Sequence, residues 1–330
     1  MRRVQALRLV GAASALVLLA IAGAASSAPS AGRALNVSGK ITALVADGRL
    51  AAAHLIRGGK RCDRVLLWKG SGKGTSISAG CNDDEVRSLA LAGTRALWVS
   101  YDFGNHVYCR LMTATTARPR AREIPFCRPD EADTYLGGLA GDGSLLVFND
   151  WFEFLQQGDI KDVELRRVDG TRTAKLLGGP AARIVTSVSS GLISILGGAG
   201  AVTVVRSEGS VVHRFGVKAQ NAKLDGASTV VIRTGTRTLT PWDLSTAVDG
   251  TPRKLKGGSR ARFEDVQSGI AIYVLKKAVH LLRLRDGRDV VLRRAASGPV
   301  HAQLEGPGLF WSHANRLEFV PMPAVHAALG

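Results

Sequence analysis

The chain has 330 residues, a hydrophobic fraction of 45% and a formal net charge of +17 at pH 7. After its first 25 residues no apolar stretch is long enough to cross a bilayer, which excludes a protein with several spanning helices. No low-complexity linker interrupts the rest of the chain, so we predict a single domain despite a length that would allow two.

Residues 1–25 have the layout of a secretory signal peptide. Three arginines precede an alanine-rich apolar run from Leu9 to Ala25, and small and polar residues follow it. We predict cleavage near Ala25, a short flexible segment at 26–33, and a monomeric product that is secreted or associated with the cell envelope. The alternative is an uncleaved membrane anchor, but a run of about 17 residues is short for one.

The main feature of residues 34–323 is a turn, usually with glycine, that recurs between two short apolar strands. The average step from Gly48 to Gly308 is about 43 residues, the period of a four-stranded propeller blade. The sequence therefore predicts an all-β fold, a seven-bladed β-propeller. The turns contain Asp47-Gly48, Ala92-Gly93, Asp142-Gly143, Ser190-Gly191, Asp225-Gly226, Ser268-Gly269 and Pro307-Gly308.

The two ends of the repeat predict how the ring closes. Six blades show four apolar segments each, whereas the seventh shows three before a short tail at 324–330. Residues 34–38 stand ahead of blade one without a partner. We expect them to supply the outer strand of blade seven, because this removes the open sheet edge of a linear array. Almost no helix is predicted after the leader.

Four cysteines lie in blades one and two, at the third or fourth strand of each blade. Because these two strands form an antiparallel hairpin, we predict the disulfides Cys62–Cys81 and Cys109–Cys127. An exported chain meets an oxidising compartment, and the spacing of a zinc site is missing, so disulfides are favoured over metal binding.

The connections between second and third strands, and those between blades, are expected on one face of the ring. In blades two and three they combine acidic and aromatic residues on a rigid scaffold, which favours recognition. The alternative is that Trp151 and its neighbours only cap their own blade. The candidate ligand-binding patch is Tyr101, Asp102, His106, Asp130, Glu131, Asp133, Tyr135, Asp150, Trp151, Glu153 and Phe154.

Basic residues occupy the corresponding connections across the ring, so this face is expected to be electrically polarised. Many other Lys and Arg residues alternate with apolar residues on the third and fourth strands, which is typical of a solvated face. Adhesion to anionic envelope polymers is an alternative that salt would weaken. The basic residues of the connections are Arg57, Lys60, Arg61, Arg233, Arg237, Arg260, Arg262, Lys276 and Lys277.

No catalytic, cofactor or metal motif stands out. Asp102, His106 and Asp133 could converge at the channel, but their spacing does not require it. The other histidines are scattered singly, without zinc-ligand spacing. Most tryptophans fall within strands, so we expect packing between blades rather than stacking on a ligand. These are Trp68, Trp98, Trp242 and Trp311.

The unit of an Asp-Gly turn followed by an apolar strand, as in residues 139–148, resembles the bacterial exported propellers of the TolB and WD40-like kind. The resemblance covers almost the whole chain after the leader and implies a non-catalytic scaffold that binds a protein or an envelope polymer. An enzyme acting on polysaccharide or a small ester is the alternative. Nucleic acid is not expected as a partner, because no basic-aromatic reading module is present.

Overall fold

The computed structural model describes residues 33–56, 63–80, 85–103, 107–126, 133–153, 160–179, 183–235 and 237–330. These residues form seven four-stranded antiparallel sheets, which confirms the predicted seven-bladed propeller. The first strand of each blade contacts the first strand of the next, and that of blade one contacts that of blade seven. The ring is therefore closed.

Strand β1 (Arg33–Asn36) precedes the first blade, and blades one to six each take four strands in chain order. Blade one contains β2 (Lys40–Asp47), β3 (Leu50–Ile56), β4 (Asp63–Trp68) and β5 (Thr75–Gly80). Blade two contains β6 (Glu85–Ala92), β7 (Arg95–Phe103), β8 (Val107–Thr115) and β9 (Arg122–Ile124). Blade three contains β10 (Asp133–Asp142), β11 (Leu145–Glu153), β12 (Ile160–Asp169) and β13 (Arg172–Gly179).

Blades four to six follow the same order, and blade seven takes three strands from this part of the chain. Blade four contains β14 (Arg183–Ser189), β15 (Leu192–Gly197), β16 (Val202–Arg206) and β17 (Val211–Phe215). Blade five contains β18 (Ala219–Asp225), β19 (Thr229–Thr234), β20 (Thr238–Asp243) and β21 (Arg253–Lys254), and a 3-10 turn follows at Gly258–Arg260. Blade six contains β22 (Ala261–Gln267), β23 (Ile270–Leu275), β24 (Ala278–Arg283) and β25 (Asp289–Arg294). Blade seven contains β26 (Val300–Glu305), β27 (Gly308–His313) and β28 (Arg316–Pro321).

Strand β1 closes blade seven, as the sequence predicts. It pairs antiparallel with β28, with Leu35 opposite Leu317. The connection continues this pairing, because the Val37 N–H donates to the Asn315 carbonyl at 2.9 Å. The outer edge of β28 is thus covered by a strand from the other end of the chain.

The core is divided among the spaces between blades. In the described part of the chain, seven clusters of buried apolar side chains each join two neighbouring blades. Trp68, Trp98 and Trp311 are buried in three of them. Trp242 is half-buried against Phe215, with ring centroids 5.3 Å apart. The interpretation of these tryptophans as packing residues is confirmed.

The inner strand of blade three lies unusually close to both neighbouring blades. A Cβ atom at Gly138 would lie 2.2 Å from the Val185 carbonyl oxygen of blade four, and one at Gly141 would lie 2.4 Å from the Leu91 carbonyl oxygen of blade two. Contacts this short with backbone atoms are not tolerated. Glycine is therefore required here by close approach of the backbones.

The central hairpins of blades two and three are longer than those of the other blades. Strands β7, β8, β11 and β12 have nine or ten residues, whereas the second and third strands of the other blades have five to seven. β7 and β11 begin directly after the turn that follows the first strand. The extra residues therefore extend the hairpins at the opposite end, by about 10 Å for three residues.

The C-terminal segment differs from the predicted tail. Residues Met322–Leu329 form helix α1, which starts with a proline in its first turn. Val325 and Leu329, spaced by four residues, are both buried in the cluster between blades six and seven. An apolar pair at this spacing lies on one helix face, so packing against the propeller stabilises a helix too short to form alone. Among the described residues no helix is long and apolar enough to span a membrane.

Substitution of Gly138 tests the close approach of blades three and four. We expect Gly138→Ala to lower the free energy of unfolding by about 1–3 kcal/mol, because the added methyl group overlaps the Val185 carbonyl. Denaturant unfolding followed by circular dichroism measures the change. Gly216→Ala is the matched control, since a Cβ there meets no atom within 4 Å. Equal stability of the two variants would contradict the close approach of blades three and four at Gly138.

Candidate functional site

The described members of the predicted patch lie toward the face that carries the connections between second and third strands and between blades, here called the loop face. His106, Asp130, Glu131 and Phe154 lie outside the described residues. The other members lie on β7, β10 and β11. In blade three the backbone places Asp133 opposite Glu153 and Tyr135 opposite Trp151, and in blade two it places Asp102 opposite Tyr108.

Tyr101 and Asp150 are connected through Leu136 at the space between blades two and three. The Tyr101 hydroxyl donates to the Leu136 carbonyl at 3.0 Å and accepts the Leu136 N–H at 2.8 Å. Leu136 is in turn the register partner of Asp150. The phenol therefore connects β7 of blade two to β10 of blade three beneath the extended hairpins.

Asp150 is fully buried, and its carboxylate lies 3.5 Å from Nε of Arg166. Burial raises the pKa of Asp150 to about 7, and the Arg166 charge opposes this rise. Arg166 also forms an ion pair with Glu164, and its guanidinium carbon lies 5.0 Å from the ring centre of Phe126. This network holds the base of the blade-three hairpin against blade two.

Of the four cysteines in the predicted disulfides, the structure describes only Cys109. Cys109 is buried on β8 and is not a free thiol. Its predicted partner Cys127, and both members of the other predicted pair, Cys62 and Cys81, lie outside the described residues. The pairing therefore stays a prediction.

A second group of residues lines the central channel at the opposite face, here called the turn face, where the sequence predicts only turns. The last residue of each inner strand is acidic in the odd-numbered blades and neutral in the even-numbered ones. These residues are Asp47, Ala92, Asp142, Ser189, Asp225, Gln267 and Glu305.

The four carboxylates accept backbone N–H groups from the turns of other blades. Each acceptor thus satisfies turn donors while joining its own blade to another, and Asp47 joins its blade to two others. Distances are from the donor nitrogen to the carboxylate oxygen. Glu305 accepts the N–H of Gly48 (3.2 Å), Asp47 accepts those of Gly93 and Gly143 (2.7 Å for Gly143), Asp142 accepts that of Ser190 (2.6 Å), and Asp225 accepts those of Ser268 and Gly269 (both 2.6 Å).

The same kind of contact recurs one layer deeper in the channel. The Leu224 N–H donates to Ser187 Oγ at 2.9 Å, and the Leu304 N–H donates to Asp265 Oδ2 at 2.9 Å. Between blades two and three, the Ser88 hydroxyl donates to the Gly137 carbonyl at 3.3 Å. Together with the turn carboxylates, these contacts place a polar connection at each junction between blades.

Two channel carboxyls have strongly raised pKa values. Burial raises the pKa of Glu305 to about 9, and the nearby charges of Asp265, Asp47 and Asp142 add to the rise. Burial also raises the pKa of Asp265 to about 6, while the Lys223 ammonium opposes it. Near pH 7 Glu305 is therefore protonated and Asp265 is mostly ionised.

Two carboxyls with different pKa values are the arrangement used in glycoside hydrolysis. The channel cavity that they line has a volume of about 130 Å³. Ligand pockets usually measure about 300–1,000 Å³. Because the cavity is small and both groups accept N–H bonds from neighbouring blades, we interpret these carboxyls as connections within the ring.

A histidine network in blade one has the order of a nucleophile, a base and an acid. Thr42 Oγ1 lies 2.7 Å from Nδ1 of His54, and His54 Nε2 lies 3.0 Å from Asp63. His54 is only 3% exposed and joins three adjacent strands. Across the described residues, no group of three or more His, Cys, Asp or Glu side chains could hold a metal ion.

Comparison with solved structures identifies the fold as a WD40-like propeller. The WD40 β-propeller domain of Doa1 is 8% identical, with a TM-score of 0.58 over 87% of this chain and 95% of that chain. A chain of the mitotic checkpoint complex is 13% identical, with a TM-score of 0.59 over 97% and 99%. The computationally designed Ika8 protein is 11% identical, with a TM-score of 0.51 over 87% and 97%. No protein-family model and no curated protein matches the chain.

Substitution of Asp47 tests the turn contacts, since this carboxylate accepts two N–H groups. We expect Asp47→Ala to lower the free energy of unfolding by about 1–3 kcal/mol, because both donors lose their acceptor. Urea unfolding provides the measurement. As a control, Asp249→Ala changes an exposed carboxylate that accepts no hydrogen bond within the described chain, and should stay within about 0.5 kcal/mol. If Asp47→Ala were equally mild, the contacts would not contribute to stability.

The raised pKa of Glu305 makes stability depend on pH. The folded chain keeps a proton that the unfolded chain, with a Glu pKa of about 4.3, releases, so this contribution to stability is lost as pH rises to about 9. We expect Glu305→Gln to keep an acceptor for Gly48 and to reduce the fall in melting temperature between pH 7 and pH 9. The difference in slope is at most about 1.4 kcal/mol per pH unit.

Thermal denaturation at several pH values in this range measures the slope. Glu123→Gln is a suitable control, because Glu123 is exposed on the outer strand β9. If the melting temperatures of the wild type and of Glu305→Gln fell equally between pH 7 and pH 9, the raised pKa of Glu305 would be contradicted.

Proposed function

We propose that this propeller is an exported, non-catalytic scaffold that binds a protein or an envelope ligand through the loop face of blades two and three. The observation that carries the proposal is the extension of two adjacent hairpins, β7–β8 and β11–β12, beyond their counterparts in the other blades. Adjacent raised hairpins provide a contact surface that a uniform ring lacks. WD40-like propellers are suited to such a role because rigid blades present variable loops.

The base of the two hairpins is well held. The Tyr101 hydroxyl bonds blade two to blade three, and the Arg166 guanidinium contacts the Asp150 carboxylate and the Phe126 ring together. A rigid base reduces the ordering cost when a ligand binds to the tips. The extended part of β11 carries Trp151 and Glu153, and Tyr135 of the adjacent strand β10 lies opposite Trp151; these residue types support recognition of a protein.

Export is the second part of the proposal and rests on the leader at 1–25. It agrees with the absence of a free thiol at Cys109, since structural disulfides form in oxidising compartments. The enzyme alternative is favoured by one observation, the Thr42–His54–Asp63 network, which has the order of an acyl-transfer triad.

The test uses the full chain with Trp151→Ala and Phe154→Ala. We expect partners identified by proximity labelling in the producing cell, and then purified, to bind the double variant at least about tenfold more weakly, because aromatic anchors dominate interface energies. Binding is measured by surface plasmon resonance. The control is Val248→Ala with Val291→Ala, which removes exposed apolar side chains on blades five and six.

Unchanged affinity in a folded double variant would show that the hairpin tips only cap their blade. The enzyme alternative is separated by assaying the same purified chain with esters and polysaccharides. Turnover that is lost in Thr42→Ala would favour that alternative over a scaffold.

A further inference from the structure

A second surface of the loop face, on blades five and six, is strongly basic. It consists of four segments, residues 233–238, 254–262, 274–279 and 293–300, here called the basic patch. These segments contain ten Lys and Arg residues and not one Asp or Glu. A one-sign cluster of this size produces a local positive potential and attracts polyanions.

The four segments form one continuous surface. The Leu255 N–H donates to the Arg237 carbonyl at 2.6 Å, which joins the first two segments. The Ala295 N–H donates to the Lys277 carbonyl at 2.8 Å, which joins the last two. Arg262 donates to the Val300 carbonyl and so connects blade six to the start of blade seven. The charges are therefore neighbours in space as well as in sequence.

Most of these charges are not neutralised by the protein. Lys256 lies 3.6 Å from Asp289, and Arg262 is paired with Glu264. Arg237, Arg260 and Lys276 are exposed, and in the described part of the chain they form no ion pair. Lys254, Lys277 and Arg294 are likewise exposed without a carboxylate partner among the described residues.

The composition of the basic patch restricts the kind of anion that it fits. It contains no Phe, Tyr or Trp, so it offers no platform for stacking nucleic-acid bases. It also presents none of the exposed large apolar side chains of the described chain, so it has nothing to insert into a lipid layer. A flexible polymer with a charge on successive units can contact several of its cations at once.

We propose that the basic patch binds a linear, non-aromatic polyanion that carries a phosphate or carboxylate group in each repeat unit. Binding rests on summed contacts between these groups and exposed Lys and Arg side chains, with release of counterions. This surface is separate from the raised hairpins of blades two and three. It therefore provides a second binding function, which does not depend on the first.

The experiment measures binding of the full chain to inorganic polyphosphate and to polygalacturonate, at several salt concentrations. We expect Arg237→Glu, Arg260→Glu and Lys276→Glu together to weaken binding at least about tenfold and to reduce its salt dependence. The matched control is Arg118→Glu, Arg120→Glu and Arg172→Glu, which changes net charge equally at exposed sites on blades two and three. The control should bind nearly as the wild type does.

Equal losses in both triple variants would overturn the proposal, because attraction would then follow net charge alone. Tighter binding to anionic lipid vesicles, or to single-stranded DNA, than to either polymer would also overturn it. Tighter binding to polyphosphate than to polygalacturonate, or the reverse, supports the proposal and identifies phosphate or carboxylate as the preferred group. Should the triple variant fail to fold, Lys276→Gln with Lys277→Gln gives a milder loss in the same direction, and no loss there counts against the patch.

Discussion

The structure depends on one constraint, which is that each blade can bury its two sheet faces only against its neighbours. Seven apolar clusters lie between blades in the described chain, and none of them belongs to a single blade. A linear array would leave two faces and an edge in water. Strand β1 resolves this by pairing with β28, so that the first and last parts of the chain complete the same blade. Closure and core formation are therefore the same event.

Closure also determines where function can lie. The inner strands approach so closely that Gly138 and Gly141 are required, and the channel acids are occupied by N–H groups of neighbouring turns. The interior is thus committed to holding the ring together. The loop face keeps exposed chemistry, with raised hairpins on blades two and three and unpaired cations on blades five and six. One rigid ring can present these two surfaces to different ligands without competition between them.

The candidate site shows how far residue types alone can lead. The acidic and aromatic loops of blades two and three are visible in the sequence, but Tyr101 and Asp150 belong to the base of the hairpins rather than to a free surface. The role of Glu305 was missed, because an acid before a turn normally indicates turn chemistry. The role of Asp265 was missed because this residue lies inside strand β22, with no motif around it. For Glu305 a signal was present, since acids end the inner strands of odd-numbered blades only. Its meaning requires knowing that these ends converge on one channel.

The sequence by itself determined the number of blades, the closing strand and the position of the basic connections in blades five and six. These follow from a period of about 43 residues and from apolar segments that need partners. Only the tertiary structure decided which turns share a carboxylate, that Val325 and Leu329 fold the last residues into a helix, and which cations stay unpaired. Such features depend on distances between residues far apart in the chain. Local propensity contains no information on these distances, because they are established when the ring closes.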